Sequence, residues 1–128
     1  MARILTMLSI MAPVCFASIG ASNALASGNA ANGATLFNRC VICHSATKDG
    51  GNRVGPNLFG VVGRNAGTAA GYSYSSAMKS YAVVWDQVTL TKYLVSPSTV
   101  VPGTKMTFAG FTQPQQAADV AAYLATLK

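Results

Sequence analysis

Charge is scarce in this chain of 128 residues: 9% of its side chains are charged, and only three of them are acidic. Histidine and tryptophan occur once each and cysteine three times. Little charge beside 51% hydrophobic residues excludes a disordered chain, which needs the reverse balance. The shortage of charge, together with 12 Gly and 5 Pro, excludes a long coiled coil. A sustained apolar stretch is lacking after residue 26, where Gly, Pro and polar residues break every run, so the chain is no multi-spanning membrane protein. The length fits one domain. Basic residues outnumber acidic ones nine to three, but they form no run. A nucleic-acid partner calls for a concentrated basic patch and is not expected.

The first segment reads as an export address. Met1-Ala2-Arg3 is a short positive start, Ile4 to Ile19 is almost wholly apolar, and Asn23-Ala24-Leu25-Ala26 offers an A-x-A cleavage site. Residues 1–26 are therefore expected to be a secretory signal peptide and 27–128 the domain, exported to the periplasm without stable membrane insertion after cleavage. An uncleaved anchor helix is the alternative, since the run is barely long enough to span a bilayer. Cleavage leaves eight basic and three acidic side chains, a net charge of +5. It also removes Cys15 and leaves two cysteines, Cys40 and Cys43.

Those two thiols and His44 form Cys40-Val41-Ile42-Cys43-His44. On a helix, positions i and i+3 share a face. Two thiols there can reach the vinyl groups along one haem edge and form two thioether bonds, and the next residue brings an imidazole beneath the iron. C-x-x-C-H reads as such a c-type haem attachment site. Three other readings compete. A thioredoxin-like redox pair needs a βαβ setting that the sequence does not suggest. A structural zinc site needs four ligands, where three exist. A disulfide across two intervening residues closes a tiny loop and stabilises little.

A further axial ligand is sought in Val101-Pro102-Gly103-Thr104-Lys105-Met106, a stiff loop in which Met106 offers a soft thioether. Met78 is the rival outside the signal segment, and core filler is the ordinary role of a methionine.

With these residues in place the sequence resembles the class I c-type cytochromes, close to mitochondrial cytochrome c and its bacterial relatives, over Gly33 to Leu127. The resemblance includes Gly55-Pro56-Asn57-Leu58, Gly71-Tyr72-Ser73-Tyr74, Trp85, Tyr93-Leu94, Pro102-Gly103-Thr104-Lys105-Met106 and Phe108-Ala109-Gly110. It implies an all-α cytochrome c fold of three to five helices around one covalently attached haem c, with N- and C-terminal helices crossing. It implies that the Pro56 carbonyl accepts the Nδ1–H of His44. Tyr74 and Trp85 would donate to a haem propionate and Arg64 would offset propionate charge. Tyr93 and Thr104 would lie near the Met106 sulfur, and Phe108 against the haem edge. Two departures stand out. Met78 replaces an asparagine common in the mitochondrial proteins, and Ser98, Thr112 and Gln113 stand where several docking lysines would be, while Arg39, Lys48, Arg53 and Lys105 remain.

Iron held by His44 and Met106 has no open position, which favours a one-electron carrier over catalysis. The expected partners are redox proteins with acidic docking surfaces, such as an oxidase, reductase or dehydrogenase of a respiratory chain, met by a monomer. The alternatives are a small haem peroxidase, if Met106 leaves the iron readily, and a membrane-anchored haem subunit.

Periodicity predicts a first helix from about Asn29 to Cys43, with Gly33, Leu36, Phe37 and Cys40 on one stripe. Thr47 to Ala70 is expected to be irregular and Ser75 to Ser80 a short helix. Asp86 is expected to cap a helix to about Val95 with Leu90, Tyr93 and Leu94 inward, stopped by Pro97. Thr112-Gln113-Pro114-Gln115 resembles a capping box opening a last helix to about Leu127, with Val120, Tyr123, Leu124 and Leu127 on one face. This helix is expected to cross the first at Gly33.

Overall fold

The computed structural model describes residues 27–128. The expected signal peptide, residues 1–26, lies outside the described residues. Five α-helices follow in order: α1 (Ala30–Leu36), α2 (Ser76–Ser80), α3 (Gln87–Val95), α4 (Pro97–Val100) and α5 (Pro114–Leu124). Among the described residues no strand forms, only an isolated antiparallel bridge between Asn65 and Val84. No helix among them is long and apolar enough to cross a membrane. The fold is all-α, as expected.

Asn29 caps α1, its side chain accepting the Asn32 N–H at 3.0 Å. The α-helix is shorter than the predicted Asn29–Cys43. It ends at Leu36, tightens into a 3-10 turn over Phe37–Arg39, and then gives way to turns. α1 packs against α5 at Gly33, where a Cβ would overlap the Asp119 carbonyl of α5. The absence of a side chain is what brings the two backbones together. Asp119 is itself buried and accepts the Asn29 backbone N–H at 2.7 Å and the Gln115 amide at 2.9 Å. One carboxylate thus ties the entry of α1 to α5. The Asn29 N–H, then Gln115, hold its pKa below the usual carboxylate value against a smaller opposing effect of burial.

α3 begins at Asp86, as predicted. Its carboxylate accepts the Thr89 N–H at 2.7 Å while the Thr89 hydroxyl accepts the Asp86 N–H at 3.0 Å. Such a reciprocal cap stabilises a helix by about 1 kcal/mol. Leu90, Tyr93 and Leu94 face inward. The helix stops at Val95, and Pro97, free of any need to donate an N–H at the first helical position, opens the unforeseen α4. The expected capping box at Thr112–Gln115 does not form. Gln113 occupies the cap position without a side-chain hydrogen bond, and Pro114 starts α5 through its fixed φ. α5 ends at Leu124 rather than Leu127; Val120 and Leu124 are buried, Tyr123 and Leu127 partly so. Phe111, Val120 and Ala121 are almost wholly buried behind α3 and α5. On the other side of that core the irregular segment from Thr47 to Ala70 curls round a hollow.

Candidate cofactor site

The hollow is a cavity of about 380 Å³, open on one side. Its apolar walls come from four parts of the chain: Phe37 from the end of α1, Leu58 and Val61 from the irregular segment, Leu90 and Leu94 from α3, and Val120 and Leu124 from α5. Cys40, Cys43 and His44 stand at one side. The Cys43 and His44 N–H groups both donate to the Cys40 carbonyl, at 3.0 and 2.9 Å. These turn bonds keep the two cysteines near one another although the α-helix expected there has ended. Both thiols are unpaired, and no disulfide joins them. Burial pushes the Cys40 thiol up to about 11, so it is a neutral group facing an apolar space.

His44 is oriented by its neighbours. Its Nδ1 lies 2.7 Å from the Pro56 carbonyl and donates to it. This fixes the tautomer and leaves the Nε2 lone pair free as a ligand. Burial lowers the His44 pKa, with the Pro56 bond opposing, so the ring is held neutral. Gly55 makes room for it, since a Cβ there would collide with the imidazole. This role of Gly55 is absent from the sequence reading; its signal was a glycine just before the proline twelve positions after the histidine.

Polar groups line the remaining walls. The Tyr93 hydroxyl shares a 2.9 Å hydrogen bond with the Thr104 hydroxyl and lies 4.0 Å from the Met106 sulfur. Thr104 also accepts the Met106 backbone N–H at 3.3 Å. Burial raises the Tyr93 pKa, against the Thr104 bond, so the phenol stays protonated. Tyr74 accepts the Ala69 N–H at 3.1 Å, which leaves its own O–H to donate into the cavity. Buried Trp85 and half-buried Arg64 border the same space. Arg64 donates to the Asn57 carbonyl at 2.9 Å and the Phe59 carbonyl at 3.5 Å, and burial lowers its pKa from a very high value, so it remains a cation. Phe108 borders the cavity with its ring edge-on to Phe111, centroids 5.1 Å apart. Met78, the other methionine, is buried and also lines the cavity.

The structure thus brings together on one cavity every residue singled out from the sequence as cofactor-binding. Tyr72 was not among them; its hydroxyl donates to the Val54 carbonyl at 2.9 Å and braces one wall. Among the described residues no cluster of three His, Cys, Asp or Glu could hold a bare metal ion, which leaves the zinc reading without support. With no strand, the thioredoxin-like setting is missing too. What fits is a flat apolar molecule with a metal at its centre and anionic groups at one edge. Two thiols and a fixed imidazole face it from one side, aliphatic and aromatic walls enclose it, and Arg64, Tyr74 and Trp85 offer donors that would otherwise be costly for buried anions to lack.

Fold and site together define a small helical haem protein. A family model described as "Cytochrome c" matches residues 30–128. The chain is 46% identical to cytochrome c of Nigella damascena over 98 residues, 76% of this chain and 88% of that one. It is 45% identical to cytochrome c2 of Rhodomicrobium vannielii over 116 residues, 91% of this chain and 93% of that one. The solved structure of cytochrome cH from Methylobacterium extorquens superposes with a TM-score of 0.72 at 45% identity, covering 77% of this chain and 99% of that one. The chain belongs to the cytochrome c family, whose members hold haem c covalently and transfer electrons between redox proteins rather than act as enzymes. The peroxidase alternative is thereby set aside.

Proposed function

We propose that this chain is a periplasmic one-electron carrier, bound to its haem through Cys40 and Cys43, with His44 and Met106 as the axial ligands. The observation that carries the ligation is the pair of supports on the candidate ligands. His44 is held by the 2.7 Å bond to Pro56, and the Met106 sulfur lies 4.0 Å from a Tyr93 hydroxyl that Thr104 fixes. Met78 has no comparable polar support: its helix is held by the Ser75 cap, and its side chain packs into the core. The haem iron, when bound, supplies one-electron exchange between ferrous and ferric states, at a potential that His/Met ligation raises.

The chain's own contribution is to hold the ligands and exclude water. Leu58, Val61, Leu94 and Phe108 exclude solvent from the two faces. Arg64, Tyr74 and Trp85 are assigned to the propionates; a cation there favours the less positive ferrous state. Because both axial positions would be filled by ligands already oriented, little rearranges when an electron arrives. The signal peptide over 1–26 rests on its three-part layout, and the periplasmic assignment rests on it in turn.

The test is the optical spectrum and intact mass of the exported protein. Low-spin spectra in both oxidation states, the weak long-wavelength thioether–iron absorption of the ferric form, and a mass of residues 27–128 plus one haem are expected. Loss of that absorption in Met106→Ala but not in Met78→Leu identifies the ligand. The reverse pattern moves the assignment to Met78. An uncleaved mass makes the protein an anchored haem subunit.

A further inference from the structure

Five large apolar side chains stand exposed among the described residues, and three of them, Val41, Ile42 and Val54, gather at the open side of the cavity. Ile42 is 74% exposed and Val54 75%, and both border the cavity rim. Their proximity is fixed by the backbone. The Gly55 N–H donates to the Cys43 carbonyl at 2.7 Å and Arg53 Nη1 donates to the Val41 carbonyl at 2.9 Å. The Tyr72 hydroxyl on the Val54 carbonyl completes the clamp. Residues 53–55 are therefore strapped alongside the C-x-x-C turn, and the two aliphatic side chains form one projecting patch.

Cations frame this patch, and each is tethered. The Arg39 guanidinium lies 5.5 Å from the centre of the Phe111 ring, Arg53 is held on the Val41 carbonyl, and the Lys105 ammonium donates to the Ser73 carbonyl at 2.7 Å. The three carboxylates lie elsewhere: Asp86 caps α3, Asp119 is buried between α1 and α5, and Asp49 borders a separate surface hollow with Lys48. A cation already held in place loses less freedom when it meets an anion than a free lysine would.

We propose that this face docks its redox partner through an aliphatic centre, Ile42 and Val54, framed by the pre-positioned Arg39, Arg53 and Lys105. The occupant is a redox protein presenting an apolar depression rimmed by carboxylates, with its own electron-accepting group behind it. The assignment rests on the carrier reading above and adds the chemistry of the contact. Charge complementarity sets the sign and brings the partners together, but three cations give a modest steering field. Burial of the two aliphatic side chains, which salt does not screen, then sets how long the complex lasts.

The test uses the haem-loaded protein and washed membranes from the source organism as the probe. Oxidation of the ferrous protein is followed optically at low and high salt and divided by its rate of oxidation by hexacyanoferrate, which needs no protein docking. In the double variant Ile42→Ser, Val54→Ser the membrane KM is expected to rise about tenfold at both salt concentrations. In Arg53→Gln it rises at low salt alone. An unchanged KM in the double variant overturns the proposal. So does a wild-type protein that reacts with hexacyanoferrate but not with the membranes. Failure with hexacyanoferrate as well sinks the carrier reading itself.

Discussion

Replacing Gly33 by alanine sets two effects of opposite sign against each other. In an exposed helix the change gains about 1 kcal/mol, because alanine loses less backbone entropy than glycine. At Gly33 the new methyl would overlap the Asp119 carbonyl and carbon and come within 2.8 Å of the Tyr123 Cβ. The main obstacle is helix backbone, so rotating a side chain cannot relieve it, and α1 must move off α5. Overpacking of this kind costs about 1–3 kcal/mol, and the shift also strains the bond from Asn29 to Asp119. The net expectation is a loss of about 1–2 kcal/mol, or about 5–15 °C in Tm for a domain of this size. Guanidinium unfolding of the haem-loaded protein, followed by far-UV circular dichroism, measures it. Thr35→Ala, at an exposed position two residues on, is the control. It feels the propensity gain alone and is expected to raise stability by a few tenths of a kcal/mol. A Gly33→Ala protein as stable as wild type, or more so, refutes the close crossing as the reason for this glycine.

Tyr93→Phe removes a hydroxyl that lies 4.0 Å from the Met106 sulfur, so a donor that withdraws electron density from the proposed ligand is lost. The reduction potential is expected to fall by about 20–40 mV, the equivalent of a weak hydrogen bond; a rise in spectroelectrochemical titration contradicts the assignment. Arg64→Gln removes a half-buried cation from the cavity wall and is expected to lower the potential by tens of millivolts, read in the same titration. Asp119 has its pKa depressed by the Asn29 N–H and Gln115. Its contribution to stability is therefore present above the ordinary aspartate pKa near ~4 and is lost as pH falls through the lower folded value. Asp119→Asn is expected to unfold less steeply with acid; an unchanged acid limb in a pH series of melts shows that another carboxylate sets it.

Most of what was legible in the sequence is local in the chain. Cys40, Cys43 and His44 sit within five positions, and Asp86 and Thr89 within four, so spacing alone placed them. The pairing of His44 with Pro56 spans twelve residues and came from resemblance, because no periodicity connects a histidine to a carbonyl across an irregular loop. Local pattern also misled. The stripe from Gly33 to Cys40 is helical in spacing, yet the α-helix ends at Leu36 and turn bonds to the Cys40 carbonyl take over. A turn and a helix put i and i+3 on the same side, so the site formed as expected from a wrong element. At Thr112–Gln115 the residue types suit a capping box, but Pro114 with its fixed φ starts α5 unaided, and no side-chain bond forms.

The contacts that escaped the sequence share a physical cause: each depends on a group that carries no side-chain signature of its own. Gly55 acts by lacking a side chain beneath His44, and the Cys43, Val41 and Val54 carbonyls act as acceptors that any residue would supply. Those same anonymous groups strap residues 53–55 beside the C-x-x-C turn. They therefore settle both the orientation of the imidazole and the placing of Ile42 and Val54 at the rim. A substitution at Gly55 acts on both at once. A larger residue there is expected to displace the His44 ring and to separate the aliphatic patch from the cysteines, so that ligand-field spectra and membrane KM change together. Substitution of Ile42 and Val54 alters the second without the first.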